Sequence, residues 1–151
     1  MASQHEAQLL QILADTQSSA DGPRRQAEIY LKSAQAEPAF PSMLASIASH
    51  STVPSELRQA ALLNLKNFTS KNWTGHDDNG NPTIQIAEGT KAEIRARMLK
   101  IATDDVDSRK IKSAARCVEV LFLACSLLLV ILMEGHVDFM KSAFANLRFN
   151  E

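Results

Sequence analysis

RQAALLNLKNFTSKNW, residues 58–73, is the stretch whose reading decides the fold. Leu57, just before it, with Ala61, Leu65 and Phe68 places an apolar residue at every third or fourth position. That is the spacing of one buried face of an α-helix. Lys66 and Asn67 fall where this face has ended, so no core requires them. The sequence SHSTVPSE before the stretch supplies caps and Pro54, and Trp73 closes it at a core or repeat-boundary position.

The same reading extends outward in both directions. Upstream, Leu9, Leu10, Ile12 and Leu13 open a helix that stops near Gln17, with SSADGP as its turn. Pro23 suits the first turn of a second helix. That helix carries Ala27, Tyr30, Leu31 and Ala34 as its apolar stripe. A third follows Pro38, with Phe40, Met43, Leu44 and Ile47. Downstream, TGHDDNGNPT is the longest structureless piece, and Ile94, Met98 and Ile101 mark a fifth helix. The acidic turn at residues 104–108 supplies an N-cap, and a sixth helix starts at Arg109. Short turns make neighbouring helices antiparallel.

Arg25-Gln26-Ala27 recurs 33 residues later as Arg58-Gln59-Ala60, each time just inside the second helix of a pair, and Lys112-Ser113-Ala114 is a looser third copy. Repeats of that length predict an all-α fold, an α-solenoid of about three antiparallel helix pairs, in which each pair buries its apolar face against its neighbours.

Composition agrees with a globular chain of 151 residues, 45% hydrophobic and 22% charged. The formal charge of −1 conceals a gradient. Residues 51–116 carry 11 basic and 8 acidic groups, too small an excess to imply nucleic acid without a motif. Cys117 and Cys125 lie eight residues apart on one helix, about 12 Å, which is too far for a disulfide. They read as core thiols of a reducing compartment. No basic leader precedes the first helix, so the sequons at Asn67 and Asn72 are expected to carry no glycan.

Enzyme signals are weak. His5, His50, His76 and His136 have no cysteine or carboxylate at metal spacing and read as turn or cap residues. No phosphate-binding glycine loop or nucleophile elbow occurs, and no cofactor is implied. DDNGNPTIQIAE, residues 77–88, imitates a calcium loop with Asp77, Asn79, Asn81 and Glu88. Its sixth place, where glycine makes the sharp turn, holds Pro82, which cannot adopt a positive φ.

Arg58, Ala61, Leu65-Lys66-Asn67 and Trp73, together with LLQILADTQSSADGPRRQAEIYL upstream (Arg24 or Arg25, Ala27, Glu28, Leu31) and DDVDSRKIKSAA downstream, resemble the amino-terminal domain of the importin-beta (karyopherin) family. The resemblance covers roughly residues 8–116. It implies HEAT-like helix pairs and a nuclear transport receptor of the nucleus and cytoplasm, passing through the pore. In that family the second helices line the concave face and grip the GTPase Ran in its GTP form, expelling import cargo elsewhere on the solenoid. Carried onto this chain, the candidates are Lys66 and Asn67, with Asn64 and Lys71 as neighbours. Arg109, Lys112 and Arg116 add a basic stripe on the next inner helix, a feature that speeds encounter with an acidic partner. A helical-repeat scaffold without Ran affinity is the alternative reading.

After Arg116 the family pattern stops. In residues 120–133 only Ser126 is polar, a run of 14 where a membrane span needs about 20. Residues 117–151 therefore read as a continuation foreign to the family, an apolar helix capped by the stripe Phe139, Met140, Ala143, Phe144 and Leu147. A small membrane-anchored protein held by residues 117–133 is the third reading.

Overall fold

The computed structural model describes residues 4–77, 79–103 and 109–118. The acidic turn at 104–108, Cys125, His136, the apolar run at 120–133 and its capping tail lie outside the described residues. Helices α1 (Gln4–Asp15), α2 (Asp21–Ala34), α3 (Phe40–Ser49), α4 (Ser55–Asn72) and α5 (Glu88–Thr103) follow in order, and residues 109–118 form α6. The pairs are α1 with α2, α3 with α4, and α5 with α6. Helix α3 packs on α4, α5 and α1, which makes it the centre of the described fold.

The expected apolar faces form the core. Leu9 and Leu13 of α1, Phe40, Leu44 and Ile47 of α3, Ala61, Leu65 and Phe68 of α4, and Ile94, Met98 and Ile101 of α5 are all buried in one cluster. Phe40 and Phe68 meet edge to face at 5.3 Å between ring centres, fixing α3 against α4. Ser42 donates to Glu93 (2.7 Å), and Glu93 also pairs with Arg97 (3.0 Å), tying α3 to α5.

Several expectations need correction. Tyr30 is 56% exposed: the stripe of α2 is Ala27, Leu31 and Ala34. No side-chain cap starts α4. Pro54 holds the N-cap position, and the Ser55 hydroxyl is turned to Glu56 (3.0 Å). Cys117 is exposed rather than a core thiol. The internal repeat is also shifted. Helices α2 and α4 start at Asp21 and Ser55, and the buried set Ala27, Leu31, Ala34 falls on Ala61, Leu65, Phe68, a step of 34 rather than 33. In α6 the equivalent set is Ile111, Ala115 and Val118, so Lys112-Ser113-Ala114 lies about one turn away from the register of α4. A triplet match is blind to phase; burial fixes it.

The connection after α4 is folded. Asp77 accepts hydrogen bonds from the amides of Asn79 (2.9 Å) and Asn81 (2.8 Å) and from the Asn81 side chain (3.0 Å). These bonds, led by those from Asn81, hold its carboxyl below the ordinary aspartate value. The depressed value means the turn is fully supported above the usual aspartate range and loses that support as pH falls through it. Gly75 and Gly80, at φ of 78° and 80°, let the chain reverse. The Asn72 amide is buried, donates to the Phe68 carbonyl (2.8 Å) and accepts from the Ile84 amide (3.2 Å). Asn72→Ala removes that acceptor and is expected to cost about 1–2 kcal/mol in urea unfolding. Hydrogen exchange at Ile84 should quicken; an unchanged Ile84 rate would show that the anchor lies elsewhere.

Candidate protein-interaction site

The buried side of α4 is Arg58, Ala61, Leu62, Leu65, Phe68, Thr69 and Asn72. At 100° per residue, Asn67 stands opposite that side, Lys66 on one flank, and Asn64 and Lys71 on the other. Lys66, Asn67 and Lys71 are exposed. Asn64 is half-buried, and its amide donates back to the Ala60 carbonyl (2.9 Å). The four α4 candidates therefore share an exposed surface, but Lys66 and Asn64 face apart.

Helix α6 is divided in the same way. Its buried edge is Ile111, Ala115 and Val118. Arg109, Lys112 and Arg116 share one flank, as their spacing required, and with Ser113 line a concavity of about 480 Å³. The other flank, Lys110, Ala114 and Cys117, faces α4. There it borders a groove of about 360 Å³ with Gln59, Ala60, Leu62, Leu63 and Lys66. Lys66 thus keeps company with Lys110 rather than with the Arg109 stripe. Glu56 sits close enough to Lys110 for that charge to help lower its carboxyl, after the larger contributions of its own backbone amide and the Ser55 hydroxyl.

Lys110 is the residue that spacing alone missed, because it falls off the Arg109, Lys112, Arg116 stripe. Its place opposite Ala114 and Cys117 depends on how α6 rotates against α4, a tertiary fact.

Charge is sorted by layer. The second helices, α2, α4 and α6, carry ten basic and three acidic side chains, whereas the first helices, α1, α3 and α5, carry four of each. The second-helix layer is therefore strongly cationic while the other is neutral. Such a layer favours approach of an acidic protein surface. Among the described residues no group of three or more His, Cys, Asp or Glu could hold a metal ion. Of the decoy calcium ligands, Asp77 is bonded within its turn and Glu88 is paired with Lys91 (2.6 Å).

Stacked antiparallel helix pairs with a common buried register define an α-solenoid of helical repeats. The chain belongs to the importin-beta N-terminal domain family, whose family model matches residues 27–104, just over half of its length. It is also similar to a solved structure from work on Kap95p, whose binding induces the switch loops of RanGDP to adopt the GTP-bound conformation. The TM-score is 0.60 at 17% identity, with 78% of this chain and 14% of that chain covered, so the likeness is one of fold. This chain spans about 14% of the length of the chain it matches. A search of curated proteins gives no match.

Proposed function

We propose that this domain is the Ran-binding end of an importin-beta-type nuclear transport receptor, and that it prefers Ran in its GTP form. The observation that carries the proposal is the cationic second-helix layer in a domain of this family. In this reading Lys66, Asn67, Lys71 and Asn64 of α4 meet one part of the GTPase, and Arg109, Lys112 and Arg116 of α6 meet another. The domain works by binding, with no catalytic step of its own. Cargo recognition and shuttling between cytoplasm and nucleus belong to a complete receptor, of which this chain would supply one end.

A pull-down against Ran loaded with a non-hydrolysable GTP analogue tests the site. Lys66→Ala/Asn67→Ala is expected to weaken retention about tenfold or more, as loss of two central interface contacts does. Unchanged retention by the double variant would remove α4 from the interface. Absence of binding by the folded wild-type chain would leave a helical-repeat scaffold as the better description.

A further inference from the structure

The repeat register exposes a feature that no single helix shows. Two places after the first buried residue of each set stands a large apolar side chain, Ile29 in α2 and Leu63 in α4, exposed by 59% and 57%. Five places after it stand Lys32, Lys66 and Arg116, all exposed. In each helix the apolar and basic positions are three apart and so share a face. None of these side chains is needed by the core, yet their kind recurs at equivalent positions.

We infer that Ile29 with Lys32, and Leu63 with Lys66, continued by Arg116, form a ridge that crosses the second helices and seats the GTPase. The inference rests on the Ran-binding reading and names the chemistry of the contact. Neighbouring packed helices lie about 8–10 Å apart, so the ridge has that pitch. The complementary element presents apolar side chains at roughly that interval, with carboxylates beside them to meet the cationic row. Charge favours this occupant over a second copy of the chain, whose own second-helix layer is equally cationic. The apolar positions would supply much of the affinity and the lysines much of the encounter rate.

Ile29→Ser and Leu63→Ser, in the full chain, test it by titration with Ran bound to a non-hydrolysable GTP analogue. Both sites are on the surface, and circular dichroism checks that the variants fold. Each is expected to weaken binding roughly tenfold. Lys32→Ala should weaken it less and flatten its salt dependence. Leu99→Ser, at a 52% exposed apolar site on α5 in the other layer, should bind as the wild type does. If the wild type binds and both serine variants match it, the ridge is wrong while the Ran-binding reading stands. If the wild type binds no Ran, both fall. Serine variants that dissociate a dimer in sedimentation, yet keep wild-type Ran affinity, would make the ridge a contact between copies and overturn the inference.

Discussion

Trp73→Ala is expected to lower the unfolding free energy by about 3–5 kcal/mol, the range for emptying a buried aromatic site. Trp73 is 4% exposed and joins the main core cluster at the end of α4. Its ring also lies against two cations of α5, with Lys91 Nζ at 5.3 Å and the Arg95 guanidinium carbon at 5.0 Å from the ring centre. Those residues are four apart, so one turn of α5 brings both to the indole. Glu88 holds Lys91 in place, and the Lys91 hydrogen bond and charge in turn keep the Glu88 carboxyl below its ordinary value. Each cation over the ring contributes about 0.5–2 kcal/mol beyond burial. One residue thus links the second pair to the first helix of the third. Trp73→Phe keeps a ring and should retain more than half of the lost stability. A loss below about 1 kcal/mol for the alanine variant in urea unfolding would refute this role.

Arg58→Ala carries the second large effect, about 2–4 kcal/mol. Arg58 is buried, and its Nε donates to the Ala48 carbonyl at 2.7 Å. That carbonyl lies in the last turn of α3, where helix acceptors have no partner within the helix. The side chain of α4 therefore caps α3 while its stem packs beside the core. A charged donor of this kind is worth about 1.5–3 kcal/mol, and removing it also leaves a cavity. Arg58→Met preserves the stem and isolates the hydrogen-bond share. Arg24, the equivalent residue of α2, bonds Asp21 on the surface instead. Arg24→Ala should change stability by less than about 0.5 kcal/mol. Equal losses at the two arginines would contradict the distinction.

That pair of arginines shows how far the sequence could be read. Periodicity disclosed the helices because one face of each must be apolar to be buried. Ala61, Leu65 and Phe68 could be placed in the core without coordinates. The Arg-x-x-Ala signature drew attention to Arg58 and Arg24 alike, but whether an arginine caps a preceding helix depends on what lies beside it. Trp73 was legible as a boundary residue, while its two cations were hidden because α5 is separated from it by a loop. Asn72 looked like part of a sequon, and only the folded loop reveals it as an anchor. The candidate site was legible residue by residue. Its division was not: Lys66 joins Lys110, and Arg109, Lys112 and Arg116 gather on the other flank of α6. Lys32 escaped notice because the triplet repeat was read one residue out of phase with burial.

The central claim is that the cationic layer binds Ran according to its nucleotide. Calorimetric titration of the full chain with Ran carrying a non-hydrolysable GTP analogue, beside Ran carrying GDP, tests it most directly. The account predicts saturable binding of the GTP form, at least about tenfold tighter than the GDP form, a difference near 1.4 kcal/mol. Equal affinity for the two forms, or no heat with either from a folded chain, would contradict it.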